Sequence, residues 1–209
     1  MPTIDRLLAE GAPPLVAILR GLVPGEAVEI AAALVEAGVR MIEVPLNSPD
    51  PFESIAAIQA EFGNIAAIGA GTVLDIPSVE RLAALGARLM VTPNTAPDVI
   101  ARGVALGLEV MPGFMTPSEA FAAIGAGARR LKLFPAGSLG PQHLKAIGEV
   151  LPREVGIWAV GGVSTANLAD WFAAGAQGVA VGGSLFRPGD APAEVARKAG
   201  DMISALNAR

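Results

Sequence analysis

The stretch LMVTPNTAPDVIARGVALGLEVMPGFMTPSEAFAAIGAGARRLKLF, residues 89–134, alternates three apolar runs with two helical patterns. The runs Leu89–Val91, Glu109–Met111 and Leu131–Phe134 are too short for buried helices and carry Val, Leu and Met, so they predict strands. The segments between them repeat their apolar residues at three- and four-residue intervals, which predicts helices. Working outward, the same unit recurs. Apolar runs stand at Leu15–Leu19, Met41–Val44, Ala66–Ile68, Ile157–Val160 and Val179–Val181, and helical patterns such as EAVEIAAALVEAG, SVERLAALG and ANLADWFAAG fill the gaps. Eight strands start 20 to 26 residues apart, one strand and one helix per period.

The punctuation agrees with this reading. Gly38, Gly86, Gly107, Gly127 and Gly175 each follow a helical pattern and precede a strand by a few residues, the place of a left-handed C-terminal cap. Pro24, Pro51, Pro77, Pro97, Pro117 and Pro141 stand at or near helix first turns, with Ser78, Ser118 and Thr165 in or near capping positions. Strands that are apolar on both faces and joined by helices are parallel, because helices cover both sides of the sheet. Eight such units favour a closed α/β barrel, the (β/α)8 TIM barrel, over an open doubly wound sheet, which has fewer strands and a Gly-rich first turn. No linker or charge block interrupts the series, so residues 1–209 are expected to form a single domain, with Ala191–Arg209 as its last helix.

Composition narrows the function. The chain has 209 residues, 52% hydrophobic and 17% charged, which supports a large core and excludes a disordered chain. Its 15 Lys and Arg residues are scattered and the net charge is −5, which argues against nucleic acid as a partner. There is no apolar, uncharged stretch of about 18 residues, so no membrane span is expected. The start, MPTIDRLLAEG, lacks a secretory signal, and a cytoplasmic protein is expected. The absence of Cys excludes thiolate chemistry and Cys-ligated zinc, and one histidine, His143, cannot build a multi-His metal site, so no metal is expected.

In such a barrel the active site forms at the C-terminal ends of the strands. The polar residues falling there are Arg20, Glu43, Thr72, Thr92, Asn94 and Lys132, followed by the glycine turns after the last two strands. Lys132 in RRLKLFP alternates with Leu131 and Leu133 and so points into the barrel if they face the helices. Burial favours the neutral amine, the nucleophile that Schiff-base chemistry needs; the alternative is a lysine paired with an acid. Glu43 likewise interrupts an apolar strand near its end, as a proton-transfer partner for Lys132 or as half of a salt bridge with Lys132 or Arg20. Arg20 is placed to hold a carboxylate, though a plain surface arginine also fits. VGGVS (160–164) and VGGSLF (181–186) pair glycines at two late turns, where free N–H groups cradle phosphate or where tight turns simply need glycine. His143 reads as a capping or surface residue, and Trp158 and Trp171 as packing.

Taken together, AILRG (17–21), IEVPLNSP with Glu43, IGAGTVL (68–74), VTPN (91–94), LKLFPA (131–136), VGGV and GGS resemble, in order, the class I 2-keto-3-deoxy-6-phosphogluconate and 6-phosphogalactonate aldolases. The resemblance spans essentially the whole chain. It implies that Lys132 forms the Schiff base with the C2 carbonyl of a phosphorylated keto acid and that Glu43 is the general acid/base. It further implies that Arg20 and Thr72 bind the pyruvate half, and that Gly161, Gly162, Gly182, Gly183 and Ser184 hold the phosphate. A homotrimer without cofactor is also implied. PLNSP after Glu43 and Val160 before the glycine pair resemble the galactonate branch; the gluconate branch typically has a Thr before GGV. VGGSLF departs from that branch, which often has an acidic residue after Gly-Ser, leaving open whether the Gly183 amide or the Ser184 hydroxyl meets the phosphate. The competing expectations are the gluconate epimer or 4-hydroxy-2-oxoglutarate as substrate, a phosphosugar isomerase or epimerase, and a noncatalytic phosphosugar-binding protein.

Overall fold

The computed structural model of the chain describes residues 3–208, so Arg209, the end of the expected last helix, lies outside the described residues. The eight apolar runs form strands β1 (Leu15–Ile18), β2 (Met41–Pro45), β3 (Ala67–Gly71), β4 (Leu89–Val91), β5 (Glu109–Met111), β7 (Arg130–Leu133), β8 (Gly156–Val160) and β9 (Gly178–Val181). One more segment, β6 (Gly113–Phe114), was not expected. All pairings are parallel, in the order β5-β4-β3-β2-β1-β9-β8-β7-β6. The two ends of that order, β5 and β6, are halves of one run divided at Pro112. Proline has no N–H to give a ladder, but its carbonyl accepts from the Lys132 N–H at 2.8 Å. The fifth stave thus bonds β4 with its first half and β7 with its second, and the sheet closes into a (β/α)8 barrel.

Helices α1 (Ile4–Ala9), α2 (Ala27–Glu36), α3 (Pro51–Phe62), α4 (Ile76–Ala84), α5 (Pro97–Ala105), α6 (Pro117–Gly125), α7 (Ala136–Leu139), α8 (Pro141–Gly148), α9 (Leu168–Ala173) and α10 (Pro192–Asn207) complete the architecture. Every glycine read as a helix cap has positive φ, from 72° at Gly86 to 105° at Gly38. The N-caps fall on neighbours of the serines singled out: Asp75 accepts from Ser78 N–H at 2.7 Å, and Thr116 and Glu119 form a reciprocal box at the start of α6. Among the described residues no helix is long and apolar enough to cross a membrane.

Strand alternation sorts the core into two layers. Leu15, Ala17, Ile42, Val44, Leu131, Leu133, Ile157 and Ala159 face the helices, while Val16, Ile18, Met41, Trp158, Val160 and Ala180 fill the barrel. Trp158 lies opposite Gly178, where a Cβ would come within 2.5 Å of the indole, so the largest interior side chain is seated on the smallest neighbour. Helix α1, which the periodicity did not announce, stops the N-terminal end: Ile4 and Leu7 pack into the interior cluster, and Arg130 anchors Asp5 and Glu109 there. With that end plugged, the open mouth is the C-terminal one.

Candidate active site

The alternation that buries Ile42, Val44, Leu131 and Leu133 under the helices turns Glu43 and Lys132 inward, at 2% and 6% exposure. Above them a cavity of about 640 Å³ opens at the mouth. Its wall holds Arg20, Lys132, Gly161, Gly162, Gly182, Gly183 and Ser184, seven of the residues singled out, with Phe134, Val160 and Ser164. Glu43 and Thr72 do not line it. Glu43 sits beside it on β2, within electrostatic reach of Lys132 and Arg20. Thr72 follows Gly71, the residue packed against the Glu43 carboxylate, and is held at φ 56°, a left-handed conformation that costs a β-branched residue on the order of 1 kcal/mol.

The two inward groups perturb each other without forming a contact ion pair; neither Lys132 nor Arg20 makes a salt bridge with Glu43 among the described residues. Burial pushes the Glu43 carboxyl up to about 7, against the opposing pull of the Lys132 and Arg20 charges. The same loss of water lowers the Lys132 ammonium from its usual range; Glu43 opposes that shift and Arg20 adds to it. Glu43 Oε2 is buried with no hydrogen-bond partner, and the Lys132 Nζ lies 4.6 Å from the centre of the Phe134 ring, a weak interaction that leaves the nitrogen free to react. An amine biased toward neutrality beside a carboxyl that titrates near neutral pH can add to a carbonyl and exchange protons with the adduct.

The polar frame around them is fixed from the backbone outward. Arg20 Nη1 donates to Asn47 Oδ1 at 2.8 Å, so the guanidinium at the end of β1 is aimed by the loop after β2. After β8 and β9 the chain turns sharply, with Gly161 and Gly162 both at positive φ. Among the described residues the backbone N–H groups of Gly162, Val163, Gly183 and Ser184 have no hydrogen-bond partner. Unengaged donors on two turns that border one cavity can receive an anion.

Other polar candidates are engaged in bracing. Thr92 Oγ1 donates to the Asn94 carbonyl at 2.5 Å and accepts from Gly113 N–H, tying β4 to β6. His143 Nε2 lies 2.7 Å from the Met115 carbonyl, and Trp171 is buried on α9. Lys198 pairs with Asp190 at 2.7 Å, while Lys145 is exposed. Sequence reasoning missed Arg187, which also lines the cavity; its only signal was its position three residues beyond Ser184 in the same turn. A second recess of about 560 Å³, at the α1 end, offers Arg6 and Arg40, but Arg6 is paired with Glu10 and Arg40 is spent on the Val35 and Val39 carbonyls.

A closed α/β barrel with a buried amine, a buried carboxyl and glycine turns with unengaged N–H groups at its C-terminal mouth fits an enzyme that acts on small anionic molecules. Residues 5–199 match the family model of the KDPG and KHG aldolases. The chain is 46% identical over 192 residues to 2-dehydro-3-deoxy-6-phosphogalactonate aldolase of Escherichia coli strain K12, covering 92% of this chain and 94% of that protein. It is 50% identical over 197 residues to a probable 2-dehydro-3-deoxy-6-phosphogalactonate aldolase of Rhizobium meliloti, covering 93% and 92%. A solved structure described as native KDPGal superposes with a TM-score of 0.92 at 45% identity, over 93% of this chain and 95% of that one. The chain belongs to the KDPG and KHG aldolase family, whose members are carbon–carbon lyases.

Proposed function

We propose that this protein is the galactonate-type aldolase of its family, cleaving 2-dehydro-3-deoxy-6-phosphogalactonate to pyruvate and glyceraldehyde 3-phosphate through an imine at Lys132. The observation that carries this reading is the inward Lys132 amine, depressed from its usual range by burial, in the same cavity as unengaged glycine N–H groups. Neutral Lys132 adds to the C2 carbonyl; the carbinolamine loses water and leaves a protonated imine, an electron sink. The Glu43 carboxylate takes the proton of the C4 hydroxyl as the C3–C4 bond breaks, so that the bonding pair flows into the iminium and an enamine remains. Glyceraldehyde 3-phosphate departs. Protonated Glu43, directly or through water, returns the proton to C3, and hydrolysis of the imine releases pyruvate and restores the amine.

In this reading Arg20 and Thr72 hold the pyruvate half, Arg20 through its Asn47-braced guanidinium, and the turns at Gly161, Gly162, Gly182, Gly183 and Ser184 hold the phosphate. Val160 gives the cavity wall an apolar surface, as in the galactonate branch. A homotrimer and a cytoplasmic setting belong to the same proposal; light scattering in solution tests the assembly. The decisive experiment treats the protein with pyruvate and borohydride and maps the mass-shifted peptide. An adduct at Lys132 is expected; folded protein that turns over substrate without one overturns the imine mechanism. Comparing kcat/KM for the galactonate and gluconate epimers then assigns the substrate.

A further inference from the structure

Arg187 is a cation in the cavity wall to which neither the strand pattern nor the family likeness above gives a role. It stands on the turn that carries Gly183 and Ser184, and the surrounding chain holds it in place. Its Nε donates to the Gly183 carbonyl at 2.9 Å, and its backbone N–H donates to Asp190 Oδ2 at 2.8 Å. Asp190 is in turn gripped by Lys198 of α10 at 2.7 Å, which balances its charge and holds its carboxyl below the usual range. On the other side Pro188 fills the space beside Gly21, where a Cβ would lie 2.7 Å from the proline ring. The turn is therefore clamped between α10 and the end of β1.

With Nε committed, the two terminal nitrogens of the guanidinium engage no partner among the described residues. Among the described residues no acidic side chain lines the cavity. The cations divide by position: Lys132 and Arg20 act on Glu43 at the keto-acid end, whereas Arg187 sits with the glycine turns. Those turns offer neutral N–H donors, which orient a phosphate but leave its two negative charges without a counter-charge; a guanidinium with two free donors supplies one. The geometry points to Arg187 as the residue that neutralises the substrate's terminal phosphate and so sets the enzyme's preference for phosphorylated over unphosphorylated substrates. The inference rests on the aldolase reading for its substrate but not for its anion site.

The test measures kcat/KM for condensation of pyruvate with glyceraldehyde 3-phosphate and with glyceraldehyde, in the wild type, Arg187→Ala and Arg187→Lys. Loss of one charge-assisted contact lowers the ratio of the two values in Arg187→Ala roughly ten- to a hundredfold, through KM for the phosphorylated aldehyde, and Arg187→Lys recovers part of it. An unchanged ratio, or an equal fall for both aldehydes, overturns the inference. Should wild-type protein trap no pyruvate and catalyse no condensation, the aldolase reading falls separately. Calorimetric binding of glycerol 3-phosphate then decides Arg187: weaker binding by the Ala variant sustains its role, and equal binding ends it.

Discussion

A Cβ built on Gly71 would lie 1.5 Å from Oε2 of Glu43, so the carboxylate occupies the space that any other residue at position 71 would fill. The register pairs Glu43 with Gly69, and a Cβ there would run into the Leu89 backbone at 1.7 Å. Gly71 is thus what leaves room for a carboxyl inside the barrel wall, while Gly69 lets β3 lie close against β4.

Gly71→Ala is therefore expected to displace Glu43 while the barrel still folds. Overpacking of this kind costs about 1–3 kcal/mol, seen as a lower melting temperature, and kcat should fall at least about tenfold. Wild-type kcat in the variant would show that the position of Glu43 is not critical.

Glu43 also makes stability depend on pH. Its value of about 7 lies above the 4.5 of an unperturbed carboxyl, so the fold favours the protonated form. The resulting stability is complete below pH 4.5 and is lost as the pH rises to about 7, by on the order of 3 kcal/mol. Glu43→Gln should flatten that part of the denaturation profile and lower kcat by roughly 10²–10⁴-fold. In the wild type, kcat/KM for cleavage should rise with pH through about 7 as the carboxylate forms.

Lys132→Met should abolish turnover and borohydride trapping without weakening the fold. The fold disfavours the ammonium, and its cost grows as the pH falls below 10.5, so an apolar side chain of similar length removes a burden at neutral pH. Thermal unfolding at pH 7 should show a variant between equal to the wild type and about 2 kcal/mol more stable. A large loss of stability would assign Lys132 a structural role.

Val160 lines the cavity, and Val160→Thr places a hydroxyl in its wall, at the position where the family resemblance gives the gluconate branch a typical Thr. The ratio of kcat/KM values for the two C4 epimers should move toward the gluconate form by roughly tenfold, the scale of one added hydrogen bond. An unmoved ratio would locate epimer choice elsewhere in the wall.

The barrel was legible in the sequence because its determinants are local. Apolar runs such as Leu131–Phe134, periodic helices and the glycine caps at Gly38 or Gly127 each follow from the conformational preferences of a few adjacent residues. The period of two along RLKLF likewise turns Lys132 inward once Leu131 and Leu133 face the helices, and Glu43 stands out in MIEVP as a charge interrupting an apolar strand. What escaped was set by residues far apart in the chain. Helix α1 is only six residues long and owes its position to Ile4 and Leu7 in the barrel interior and to Arg130 across 125 residues from Asp5. The division of the fifth stave at Pro112 shows itself only where Lys132 donates to the Pro112 carbonyl.

The amino-acid sequence alone thus determined the strand and helix series, the inward amine, the carboxyl that interrupts β2 and the glycine turns, since these depend on period and local backbone preference. Only the tertiary structure decided that Glu43 and Lys132 meet as an electrostatic pair without a salt bridge, that Gly71 makes room for the carboxyl, and that Arg187 joins the cavity. Burial, the long-range field and the walls of a cavity arise from closing the barrel, and no stretch of the chain holds them before it closes.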